Sequence, residues 1–132
     1  MKQVLLLLFT LISTVGYSQY SMQFCVQVSK ADSCIKRANE FDITSQGGTI
    51  SMLVKADDSL GTQELRYKIY FLDNYGNEEF TQTINQKTGT DWTYAWQDVV
   101  FYDAGTYKVK VYRINASEEF ICSSLVKIFK QP

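Results

Sequence analysis

Histidine is missing from the 132-residue chain altogether. That removes the commonest general base, most zinc sites and every Ser-His or Cys-His nucleophile arrangement. An excess of either charge is also lacking: 13 Lys and Arg stand against 14 Asp and Glu, with no long run of one sign. Nucleic-acid binding draws on a basic surface that releases counterions, so nucleic acid is not expected as a partner, and an electrostatic membrane binder is not expected either. Proline occurs once, at Pro132, and there is no proline-rich linker, internal repeat or low-complexity tract. No Gly-rich phosphate loop is present. The neighbouring acids Asp57-Asp58, Glu78-Glu79 and Glu118-Glu119 would point to opposite faces of a strand rather than at one reacting atom. Asp57, Asp58 and Ser59 supply too few oxygens for a calcium loop. Three scattered cysteines do not fill a tetrahedral zinc site. No catalytic residue, metal ligand or cofactor is therefore expected, and the protein reads as a non-enzyme.

What is present begins with a leader. Lys2 precedes an apolar run over residues 4–12, and small residues at Gly16 and Ser18 follow. This is the order of a cleavable secretory signal over residues 1–18. The run is also far shorter than the roughly 20 residues that span a bilayer. Cleavage before Gln19 is expected, with a domain over residues 19–132 and no membrane span after cleavage. Loss of Lys2 takes the basic count from 13 to 12 against 14 acids, a net of −2. Export to the periplasm or the exterior puts Cys25, Cys34 and Cys122 where a disulfide can persist. Cys25–Cys34 closes the shortest loop. Cys25–Cys122 would join the first and last strands. The third reading keeps all three as small buried hydrophobes.

Helix signals are nearly absent, whereas Tyr, Phe, Val, Ile and Thr recur with period two between Gly, Asn, Asp and Ser. Strands are predicted over 22–28, 40–43, 49–56, 65–71, 79–84, 92–96, 107–112 and 120–129. In the first, Phe24, Val26 and Val28 share a face opposite Cys25 and Gln27. In the fourth, Leu65, Tyr67, Ile69 and Phe71 alternate with Arg66, Lys68 and Tyr70, as in a strand wet on one side. Seven or eight short antiparallel strands at regular spacing predict an all-β sandwich.

The run Asp103-Ala104-Gly105-Thr106-Tyr107-Lys108-Val109 resembles the Asp-x-Gly-x-Tyr-x-Cys pattern of immunoglobulin-like domains, with Val109 at the cysteine position. The resemblance implies a tyrosine corner: the Tyr107 hydroxyl bonded to upstream backbone, Gly105 supplying the turn, and Val109 and Val111 facing the core. It also places Tyr94, Trp96 and Val99 on the preceding inward-facing strand. The family's core tryptophan on the 65–71 strand and its inter-sheet cysteine pair are missing, so bacterial immunoglobulin-like or fibronectin-like modules are the nearer comparison. A weaker resemblance runs from Gly105–Val111 through residues 125–130 to the end of the C-terminal sorting domain of bacterial type IX secretion. That family's Pro-Asn-Pro element and cargo domain are lacking here.

A secreted or envelope-associated binding or structural module is expected, recognising a protein or glycan partner of the cell envelope through a sheet face or through loops. A carbohydrate-binding module using exposed aromatics is the alternative. Trp92, Tyr94 and Trp96 share one face of a strand, and the favoured reading buries them in the core. Tyr70, Tyr75, Tyr102 and Tyr112 are the better candidates for exposed contacts, Tyr70 and Tyr112 because they oppose the apolar stripes. Asn115-Ala116-Ser117 fits both a glycosylation acceptor and ordinary hairpin turn chemistry.

Overall fold

The computed structural model describes residues 19–29 and 33–132. The leader expected over residues 1–18 lies outside the described residues. Ten strands follow one another without a helix: β1 (Tyr20–Cys25), β2 (Gln27–Val28), β3 (Cys34–Ile35), β4 (Glu40–Ile43), β5 (Gly48–Ala56), β6 (Glu64–Leu72), β7 (Glu78–Lys87), β8 (Tyr94–Phe101), β9 (Gly105–Ile114) and β10 (Glu118–Lys130). They form a three-stranded sheet in the order β1-β5-β8, a five-stranded sheet in the order β4-β10-β9-β6-β7, and a small β2-β3 hairpin.

The fold is thus the expected all-β sandwich, with corrections in detail. The strand count exceeds seven or eight because the first predicted strand breaks at Val26, giving β1 and β2, and because the polar connection carries β3. The break turns Val26 outward, 51% exposed, while Phe24 and Val28 stay buried. The pairing is antiparallel except between β4 and β10, which run parallel. Parallel neighbours need a crossover, and nearly the whole domain lies between these two strands. Strand β7 continues to Lys87, past the predicted strand end at residue 84.

The core lies between the two sheets. Phe24, Ile50, Met52 and Val54 face it from one side, and Leu65, Tyr67, Ile69, Val109, Val111, Val126 and Ile128 from the other. Burying one such side chain fully contributes about 1.5–3 kcal/mol. Strand β5 also buries Ser51 and Leu53 on its opposite stripe, because the β2-β3 hairpin folds over that face. Cys25, Val28 and Leu53 form a second small cluster there, with Cys34 and Tyr94 packed against it.

Candidate functional site

Tyr107 opens the inward stripe of β9, and its hydroxyl donates to the Asp103 carbonyl at 3.0 Å. Its ring packs against Phe71 and Phe101, with centroids 5.6 and 4.7 Å away. Gly105 adopts φ +149°, and a Cβ there would stand 2.5 Å from the Phe71 ring. Backbone freedom and close approach both require glycine at this corner. Desolvation, and then the Asp103 charge, raise the Tyr107 phenol above its ordinary value. Tyr107 itself is buried, and its contacts serve the fold.

Cys25 and Cys34 form a disulfide. It ties β1 to β3 and holds the hairpin over the three-stranded sheet. Cys122 is free. It lies on β10 opposite Val111, and burial pushes its thiol up to about 12.

The four tyrosines proposed for contacts do not come together. Tyr75 sits in the β6-β7 turn, 90% exposed, and Tyr102 is exposed beyond β8. Tyr70 and Tyr112 lie half-buried on the outer face of the five-stranded sheet. There each ring makes an edge contact with a phenylalanine, Phe80 for Tyr70 and Phe120 for Tyr112. Each also sits beneath an ammonium: Lys110 at 4.6 Å from Tyr70 and Lys68 at 4.7 Å from Tyr112. Lys68 and Lys110 stand directly opposite each other. Like charges so placed repel, and each is paired at 2.7 Å with its own acid, Glu118 for Lys68 and Glu78 for Lys110. Hydrogen bonds from these lysines, first among the causes, hold both carboxyls below the usual glutamate range.

The largest departure from the sequence reading concerns the tryptophans. Trp92 is 46% and Trp96 42% exposed, so the core assignment fails. The inward stripe of β8 is Ala95, Val99 and Phe101, and Tyr94 and Trp96 point out. Tyr94 leans on the disulfide-bound cluster, and its ring stacks parallel to Trp96, 6.3 Å between centroids at 10°. Together with Gln86, Asp91 and Thr93, these rings line a cleft of about 490 Å³.

The cleft is built on a braced loop. Backbone bonds run from Leu60 N to Trp92 O (2.7 Å), Gly61 N to Thr90 O (3.0 Å) and Ala56 N to Thr93 O (2.9 Å). They pin the loop against the β5-β6 connection. The Thr88 hydroxyl donates to Thr62 O at 2.7 Å. Gly89 lets the indole come close to the turn, since a Cβ there would be 2.5 Å from Trp92 Nε1. Gln86 closes the seam between the sheets: its amide donates to Trp96 O at 2.8 Å, and its carbonyl oxygen accepts from Tyr67 OH at 2.7 Å. Among the described residues, no group of three or more Cys, Asp or Glu side chains is placed to hold a metal. The cleft offers flat aromatic faces with polar groups beside them, which suits stacking and hydrogen bonding.

No protein-family model matches the chain, and no curated protein does. Among solved structures it is similar to an immunoglobulin-like protein from Pseudomonas aeruginosa, at 10% identity and TM-score 0.50, covering 82% of this chain and 91% of that one. That similarity shows the fold, an immunoglobulin-like sandwich. A superoxide reductase (neelaredoxin) from Ignicoccus hospitalis aligns at 8% identity and TM-score 0.48, covering 89% of this chain and 85% of that one. A CARDB domain from Pyrococcus furiosus, solved with di-metal ions, aligns at 9% identity and TM-score 0.43, covering 89% and 100%.

Proposed function

We propose that this chain is a non-enzymatic recognition module that works outside the cytoplasm and binds a glycan in the Trp92–Trp96 cleft. The observation that carries the reading is the exposure of both indoles beside a concavity on a braced loop. An exposed indole keeps a large apolar face and a polar N–H, the combination that meets the C–H face and hydroxyls of a sugar ring. The cleft volume of about 490 Å³ falls within the roughly 300–1,000 Å³ of small-ligand sites. Asp91 and Thr93 are exposed at the cleft and supply hydrogen-bonding groups. The export-type leader and the Cys25–Cys34 disulfide support a place in an oxidising compartment. With no histidine in the chain, binding without turnover is the simpler chemistry.

The test is titration of the chain with a panel of neutral and acidic oligosaccharides, read by tryptophan fluorescence and calorimetry. A saturable change with at least one sugar is expected. Trp92→Ala and Trp96→Ala should each weaken it at least tenfold while leaving the thermal midpoint in place. No saturable response across the panel, or a response that both variants retain, rejects the reading. A second reading, a protein partner on the outer face of the five-stranded sheet, is favoured by one observation: Phe80 and Phe120 are both more than half exposed beside Tyr70 and Tyr112.

A further inference from the structure

The lining of the Trp92–Trp96 cleft has one carboxylate, Asp91, and no Lys or Arg. Asp91 is exposed, and it is not among the acids that pair with Lys or Arg in the described residues. A Cβ on Gly89 would stand 2.5 Å from Trp92 Nε1 and 3.1 Å from Asp91 Oδ1, so indole and carboxylate meet over the same turn. The Gln86 amide is already engaged, donating to Trp96 O and accepting from Tyr67 OH. Asp91 therefore sets the sign of the site. Lys55 stands opposite Tyr94 in the β5-β8 ladder but does not line the cleft. The β5-β6 connection, against which the loop is pinned, carries Asp57 and Asp58, both exposed, and they add to the negative potential there.

A ring face beside a carboxylate is how this protein holds its own ammonium groups. Lys110 lies 4.6 Å from the Tyr70 centroid and 2.7 Å from Glu78, and Lys68 lies 4.7 Å from the Tyr112 centroid and 2.7 Å from Glu118. The ring quadrupole draws cations to aromatic faces, most strongly to tryptophan. In the cleft the rings and the acid come from this chain, and the lining supplies no cation. An acidic sugar would bring like charge against Asp91, which opposes binding. A neutral sugar would use the rings and leave the charge unmatched.

We infer that the glycan held in this cleft carries a protonated amine, as an amino sugar does. One sugar face stacks on an indole, and the ammonium meets the Asp91 carboxylate and a neighbouring ring. This inference rests on the glycan reading of the same site and adds the class of sugar.

The experiment is calorimetric titration with short oligomers of glucosamine, N-acetylglucosamine, glucose and glucuronate, at a pH where the sugar amine is protonated and Asp91 ionised. The glucosamine oligomer should bind roughly tenfold more tightly than the glucose oligomer, the combined effect of one exposed ion pair and one cation–π contact. It should also bind more tightly than its N-acetylated form, which keeps the ring and loses the charge. Asp91→Asn should erase the preference, so that the glucosamine and glucose oligomers bind alike within about twofold. Glucose, N-acetylglucosamine or glucuronate binding as tightly as glucosamine overturns the inference and leaves the glycan reading standing. So does a preference that Asp91→Asn retains. No saturable response to any of these oligomers rejects the glycan reading, and this inference with it.

Discussion

At Tyr107 one side chain makes two kinds of contact. The ring packs between Phe71 and Phe101, and the hydroxyl reaches the Asp103 carbonyl at 3.0 Å. Tyr107→Phe keeps the packing and removes the hydrogen bond, so the loss expected in urea unfolding is about 1 kcal/mol. Gly89 works the other way, by what it leaves out. Gly89→Ala forces the Trp92 indole to swing, because the new methyl would stand 2.5 Å from Nε1. Glycan affinity should fall several-fold in calorimetry with the thermal midpoint unchanged. The corner could be read in advance because Asp, Gly and Tyr sit at fixed local offsets. The tryptophans could not, since β8 reads as apolar on both stripes: Tyr94, Trp96 and Val100 on one, Ala95, Val99 and Phe101 on the other. Which stripe faces in is set by register against β5, where Val54 stands opposite Ala95 and Ile50 opposite Val99. A one-residue slip exchanges the faces of a strand.

At the scale of elements, the β2-β3 hairpin has almost no ladder of its own, two residue pairs. Its hold on the sheet comes from the Cys25–Cys34 bond and the Val28, Leu53 and Tyr94 contacts. The cysteines are nine residues apart, and removing a cross-link over so short a loop costs roughly 2–3 kcal/mol by chain entropy. A reductant should therefore lower the thermal midpoint of the natural chain. The Cys25→Ser/Cys34→Ser variant should start lower and show no response to reductant, because Cys122 has no disulfide to lose. From sequence the pairing stayed open among Cys25–Cys34, Cys25–Cys122 and none. The bend at Val26 decided it by folding β2 back beside β3, a tertiary turn with no local code.

Across the whole molecule, charge is arranged rather than accumulated. Glu118 bonds Lys68 and Arg66, and Glu78 bonds Lys110 and Lys108. Both carboxyls are held below the usual range by these hydrogen bonds. A carboxyl whose value is lower folded than unfolded stabilises the fold above its unfolded value, and the contribution disappears as pH falls through the folded one. The thermal midpoint should therefore drop as pH falls below about 5. The variant Glu118→Gln should show a lower midpoint at neutral pH and a shallower acid slope. Added salt should narrow the difference, since these pairs are exposed enough to be screened.

Alternation by itself determined that this chain is all-β. It also determined which residues of β6 and β9 face inward, because one stripe of each is apolar and the other charged, and a pleated strand has only two faces. Composition alone set aside histidine-based chemistry. Tertiary structure decided the rest: the parallel seating of β4 beside β10, the extension of β7 to Lys87, the partner of Cys25, and the outward turn of Trp96. Each depends on which strand lies next to which, and at these positions the local sequence is equally compatible with more than one neighbour.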